Sequence, residues 1–139
     1  MKLKDILTTN PRVIGPNAII CEAARLMNDY DIGMLPVCDG NNLVGAITDR
    51  DLATRAVAQG CDPLKTRVRD VMTPGIVYCY EDQELDEVAE IMERKQIRRI
   101  VVLNRDKRLI GIASMGDFAV RSKGEHLAEE MLECVCQPA

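Results

Sequence analysis

The feature that most constrains this chain is an internal repeat. Sliding the sequence 65 residues along itself places Asp5 on Asp70, Thr8 on Thr73, Glu22 on Glu87, Ala24 on Ala89, Met27 on Met92, Ile32 on Ile97 and Val37 on Val102. One extra residue in the second half moves the offset to 66, and Leu43 then meets Leu109, Gly45 meets Gly111 and Asp51 meets Asp117. The extra residue falls in a polar stretch, Asp39–Asn42 against Asn104–Arg108, and turns are where two copies of one fold tolerate a length change. The chain reads as two homologous units, 1–62 and 63–124, followed by a tail, 125–139. A fold made by duplication is the expectation.

Each unit carries the same pattern. A short strand is expected near Arg12–Ile14 and again near Ile76–Cys79. A helix follows, with apolar Ile20, Ala23, Ala24 and Met27 in one unit and Leu85, Val88, Ala89 and Met92 in the other. That i, i+3, i+4, i+7 spacing is one buried helix face. Met34–Cys38 and Ile100–Leu103 are short, rich in β-branched residues and read as strands, with hairpin partners at Leu43–Ile47 and Leu109–Ala113. A second helix is expected over about Asp49–Gln59 and Met115–Lys123, with Gly60 and Gly124 at its ends. The order is β-α-β-β-α twice, an α/β (α+β) class. A unit this small buries too little surface alone, so two copies packed sheet to sheet about a pseudo-two-fold are expected, with a related pair of clefts between them.

Charge and composition exclude several functions. There are 18 Lys and Arg against 22 Asp and Glu, a net charge of −4, and no basic stripe, so nucleic acid is not an expected partner. Aromatic residues are 3% of the chain, too few for stacking on many bases. No apolar run has the ~18 residues of a membrane span, and the start, Met1-Lys2-Leu3-Lys4-Asp5, has no apolar secretory core, so a cytoplasmic protein is expected.

The sharpest motif is Gly45-Ala46-Ile47-Thr48-Asp49-Arg50-Asp51, repeated as Gly111-Ile112-Ala113-Ser114-Met115-Gly116-Asp117. Two readings stand side by side. Thr48 and Ser114 are helix N-caps, with Asp51 and Asp117 at the third helical position, where the helix dipole favours a carboxylate. The same geometry suits a ligand: exposed N–H groups at a helix start attract phosphate, and a carboxylate one turn in accepts hydrogen bonds from ribose hydroxyls.

The doubled pattern resembles a tandem pair of CBS domains (cystathionine-β-synthase domains), together called a Bateman module. The resemblance rests on Asp5–Thr8 and Asp70–Pro74, Ala23–Met27 and Val88–Met92, Ile32–Val37 and Ile97–Val102, and the two Gly…Thr/Ser-x-x-Asp segments. It covers about 5–122. It implies two units packed by their sheets, with clefts that take AMP, ADP, ATP or S-adenosylmethionine. Asp51 and Asp117 would contact ribose hydroxyls, and Thr48 and Ser114 a phosphate or the ribose. Val13, Ile14, Gly15 and Pro16 with Met34, Leu35 and Pro36 would frame one adenine. Tyr78, Cys79 and Tyr80 with Arg99, Ile100 and Val101 would frame the other. Val101 departs from the family, which often has proline there, as at Pro36. Arg50, Arg98 and Arg99 are candidate phosphate partners, with solvated ion-paired surface as the other reading. Because Gly116 stands where the first motif has Arg50, the Asp51 site is expected to suit anionic phosphates better.

The six cysteines, Cys21, Cys38, Cys61, Cys79, Cys134 and Cys136, form no CxxC pair and are expected to be reduced and mostly buried. Cys134-x-Cys136 with His126 offers thiolate and imidazole ligands, but the same segment has helical apolar spacing at Leu127, Ala128, Met131, Leu132 and Val135, so the tail reads as helical. The expected function is ligand sensing without catalysis, signalling to a partner protein, with a homodimer formed through helical faces at Leu26, Tyr30, Leu52 and Ile91. A metal or redox sensor built on Cys and His and a purely structural interaction module are the alternatives.

Overall fold

The first 10 residues fall in a compact unit with the second repeat. In the computed structural model, which describes residues 1–121, the chain divides into a first unit, Pro11–Ile76, and a second unit made of Met1–Asn10 together with described residues from Val77 to Arg121. Repeats of 1–62 and 63–124 thus differ from the compact units. The reason is that each repeat opens with an apolar lead segment, and each lead segment completes the core of the other unit.

The exchange is reciprocal, residue for residue. Leu3, Ile6 and Leu7 are buried in the second unit with Val88, Met92 and Phe118. Sixty-five residues on, Val68 and Val71 are buried in the first unit with Ile20, Ala23 and Leu35, and Met72 packs against them. The backbone bonds repeat in the same way. Leu3 N–H donates to Gln83 O and Lys4 N–H to Glu81 O, both at 2.9 Å, while Val68 N–H donates to Ala18 O at 2.8 Å and Arg69 N–H to Pro16 O at 3.0 Å.

Helices α1 (Ile20–Tyr30) and α4 (Leu85–Lys95) have no side-chain N-cap bond. The lead segments serve instead: Ile20 N–H donates to Thr66 O at 2.9 Å and Leu85 N–H to Met1 O at 3.0 Å, satisfying one orphan donor of each helix. Both helices end on a left-handed residue, Asp31 (φ 52) and Gln96 (φ 53), where glycine would be the commoner choice. The predicted apolar face holds except at Ala24, which is exposed, whereas its counterpart Ala89 is buried.

In the first unit, β2 (Met34–Asp39) and β3 (Asn42–Thr48) form an antiparallel hairpin, and the lead strand β4 (Thr73–Pro74) pairs with β3. In the second, the sheet order is β1 (Thr8–Thr9), β7 (Leu109–Ser114), β6 (Arg99–Leu103), β5 (Tyr78–Tyr80). The register breaks at Val37/Cys38 in one hairpin and at Val102/Leu103 in the other, again 65 residues apart. The lead strands run close over a glycine: a Cβ on Gly45 would lie 2.6 Å from Thr73 O, and one on Gly111 would lie 2.5 Å from Thr8 O.

Two expected elements differ. Arg12–Ile14 forms no strand; Ile14 makes only an isolated parallel bridge to Val37. The helix after β3 starts as expected at Asp49, but only α2 (Asp49–Asp51) winds as an α-helix, and Leu52–Val57 continues it as a π-helix. Its counterpart α5 (Met115–Arg121) is α-helical; α3 is the short lead-segment helix Val68–Val71. No helix among the described residues is long and apolar enough to cross a membrane.

Candidate functional site

Each hairpin ends in the Thr/Ser-x-x-Asp motif, and the chain turns there from strand into helix. Thr48 has extended backbone (φ −116, ψ 164), and its Oγ1 accepts Asp51 N–H at 3.0 Å. Asp51 Oδ2 accepts Thr48 N–H in return, also at 3.0 Å. In the second unit Ser114 Oγ accepts Asp117 N–H at 3.2 Å, and Asp117 Oδ2 accepts Ser114 N–H at 2.8 Å and Ser114 Oγ–H at 3.1 Å. Both motifs are therefore capping boxes. The box uses only Oδ2 of each carboxylate. Asp51 is buried, with 7% of its surface exposed; Asp117 is half-buried.

Strand register decides what faces each box. Met34 pairs with Thr48, and Asp49 N–H donates to Gly33 O at 3.0 Å. In the second unit Arg99 pairs with Ser114, and Met115 N–H donates to Arg98 O at 3.0 Å. Thus Met34 holds the register position across from Thr48, and Arg99 the one across from Ser114. Arg50 is exposed on α2, its N–H bonded to Asp49 Oδ1 at 2.8 Å.

Of the residues expected to frame adenine, Met34 and Arg99 pair directly with the hydroxyl residues of the boxes, and the others lie further along the strands. Ile14 N–H donates to Pro36 O at 3.1 Å and Cys38 N–H to Ile14 O at 3.0 Å, which sets Ile14 in parallel beside Val37 and so brings Val13 level with Pro36. Tyr78 pairs in parallel with Val101. Several of their side chains are committed elsewhere: Ile14 and Leu35 belong to the first core, Cys79 and Ile100 to the second. These four offer backbone only. Pro16, Pro36 and Val101 are buried, Gly15 is half-buried, and Val13 and Arg99 are exposed. Tyr78 is exposed and Tyr80 half-buried, their rings edge-on at 5.7 Å. Arg105 lies over the Tyr80 ring at 4.2 Å and grips Asp82 through two bonds of 2.9 and 2.8 Å. This pairing pulls the Asp82 carboxyl below its ordinary range and raises Arg105.

Arg55, four residues after Asp51, was not among the expected site residues. Its Nε lies 3.7 Å from Asp51 Oδ1. The signal was in the repeat, since Arg121 stands four residues after Asp117.

Among the described cysteines only Cys79 is buried; Cys21, Cys38 and Cys61 are half-buried, and all four are free thiols. Burial, and secondarily Glu87, pushes the Cys79 thiol up to about 11, and burial also raises Cys38. No group of three His, Cys, Asp or Glu side chains among the described residues is placed to hold a metal ion. His126, Cys134 and Cys136, and the expected helical tail, lie outside the described residues. Of the expected dimer face, Leu26, Leu52 and Ile91 are half-buried against their own cores, and exposed Tyr30 carries Arg12 at 4.0 Å over its ring.

Comparison with known proteins agrees with this architecture. The chain is 36% identical over 130 residues to the CBS domain-containing protein YhcV of Bacillus subtilis, covering 94% of this chain and 91% of that one. It is 32% identical over 136 residues to Hypoxic response protein 1 of Mycobacterium tuberculosis, covering 97% and 94%. A crystal structure of Hypoxic Response Protein I with two coordinated zinc ions superposes with a TM-score of 0.78 at 32% identity, over 86% of this chain and 97% of that one. The CBS domain pair of protein MJ0100, in complex with 5′-methylthioadenosine and S-adenosyl-L-methionine, gives a TM-score of 0.76 at 32% identity, over 86% and 93%. The CBS domain family matches twice, at residues 3–58 and 68–123, and the chain belongs to it as a protein with two CBS domains in tandem.

Proposed function

We propose that this chain is a regulatory ligand sensor that binds an adenosine-containing ligand (AMP, ADP, ATP or S-adenosylmethionine) at the hydroxyl–carboxylate motif of its units. The observation that carries the reading is the use of one carboxylate oxygen only. Asp51 and Asp117 spend Oδ2 on the helix cap. Oδ1 is the acceptor a pair of ribose hydroxyls requires. The guanidiniums of Arg50 and Arg99 are the candidate phosphate partners, suited by their forked donors. Val13–Pro16 with Met34–Pro36, and Tyr78–Tyr80 with Arg99–Val101, are the candidate adenine frames, several through backbone alone. The adenosine ligands of the MJ0100 domain pair support the ligand class.

Regulation follows by linkage. A ligand that prefers one arrangement of the chain raises its population, and a partner protein or a second copy reads the difference. Calorimetric titration with AMP, ADP, ATP and S-adenosylmethionine tests the reading directly. Saturable binding of at least one, with a raised melting temperature, supports it. No binding by any of the four contradicts it.

A second reading comes from the zinc ions of the Hypoxic Response Protein I structure. Metal analysis of purified protein is its test. Stoichiometric zinc retained without any nucleotide binding favours a metal sensor.

A further inference from the structure

Both repeats hold an arginine four residues after the carboxylate, Arg55 after Asp51 and Arg121 after Asp117. An exposed i,i+4 ion pair on a helix is ordinarily worth little. Three observations separate Arg55 from that case. Asp51 is the only buried charged side chain among the described residues, so its carboxylate depends on the few groups around it. Arg55 Nη1 donates to Met72 O at 3.1 Å, which anchors the guanidinium on the lead segment beside β4. Its Nε edge then faces Asp51 Oδ1 at 3.7 Å, too far for a hydrogen bond but close enough for charge attraction. Arg55 also lies in the π-helical stretch Leu52–Val57, a winding frequent at functional sites.

We propose that Arg55 is a positioning residue for the ribose-binding carboxylate. Anchored on Met72, it holds Asp51 Oδ1 toward incoming hydroxyl groups without consuming that oxygen's acceptor capacity. Thr48 N–H fixes Oδ2, and Arg55 fixes the orientation of Oδ1. The proposal rests on the adenosine reading above and deepens it: the first unit recognises a vicinal diol, and Arg55 sets the strength of that recognition.

The test compares AMP with 2′,3′-dideoxy-AMP, which lacks both hydroxyls, by calorimetry or by competition against AMP. Arg55→Met is expected to weaken AMP by about tenfold, the size of a coupling between neighbouring charged groups, and the dideoxy compound by less than about twofold. Arg55→Lys keeps the charge without the forked anchor and serves if Arg55→Met fails to fold; its smaller loss must likewise be confined to AMP. Equal weakening of both compounds, or of neither, overturns the assignment while leaving the nucleotide reading intact. Absence of AMP binding by the unaltered chain overturns the binding of this nucleotide and the Arg55 role together.

Discussion

At the scale of single residues, the two capping boxes carry most of the meaning. Thr48 and Ser114 each satisfy a helix N–H, and replacing either with alanine should cost about 1 kcal/mol. Urea denaturation of Thr48→Ala and Ser114→Ala measures this, and an unchanged midpoint would mean the caps are redundant. Cys79 makes a separate statement. Its thiol is raised from 9.0 to about 11, so the folded chain keeps a proton that the unfolded chain loses. The stability this confers is complete below the ordinary thiol range and is lost as pH rises from there through about 11. Cys79→Ala should flatten the fall in stability across that window, read by thermal melts at stepped pH. Iodoacetamide at pH 8 should leave Cys79 unlabelled in the native chain and label it in denaturant. The hydroxyl–carboxylate motif was legible in the sequence because it occurs twice at one offset. Arg55 was equally legible through Arg121, but an arginine on a helix surface carries no chemical signal until its anchor on Met72 is seen.

At the scale of elements, the helices and hairpins followed from periodicity, because an apolar face of three or four positions leaves a clear trace. The π-helical stretch did not, since Leu52–Val57 has no sequence mark that distinguishes it from an α-helical turn. The lead strands β1 and β4 were missed for another reason: two residues are too short to show alternation. What betrays them is the glycine opposite. Gly45 and Gly111 leave room for Thr73 O and Thr8 O, where a methyl group would collide with backbone. Gly45→Ala and Gly111→Ala should each destabilise the chain by about 1–3 kcal/mol, the range for overpacking. Amide exchange should show the damage at β3 and β4 for the first variant and at β1 and β7 for the second. Wild-type protection in both would mean that the strands shift aside without strain.

At the scale of the whole molecule, the repeat was readable but its partition into units was not. Offset matching locates equivalent residues and says nothing about which copy a lead segment packs on. The answer lies in Leu3, Ile6 and Leu7, buried in the second unit, and in Val68 and Val71, buried in the first. Ile6→Ala should therefore cost about 2–5 kcal/mol and open the second unit first, although Ile6 belongs to the first repeat. Val71→Ala should open the first unit first, at a smaller cost for its smaller side chain. Exchange rates in the two cores distinguish these outcomes. The duplication also places two equivalent carboxylates in one chain, which is the basis of the ligand-sensing account. The most direct test is calorimetric titration of AMP, ADP, ATP and S-adenosylmethionine into the unaltered chain, Asp51→Asn and Asp117→Asn, with melting temperatures of the three ligand-free proteins as controls. A hydrogen bond to a charged group is worth roughly 1.5–3 kcal/mol, so at least one carboxylate change should weaken the bound ligand by about tenfold to a hundredfold in folded protein. Affinities unchanged in both variants, or no binding by the unaltered chain, would contradict the account and leave Asp51 and Asp117 as helix caps alone.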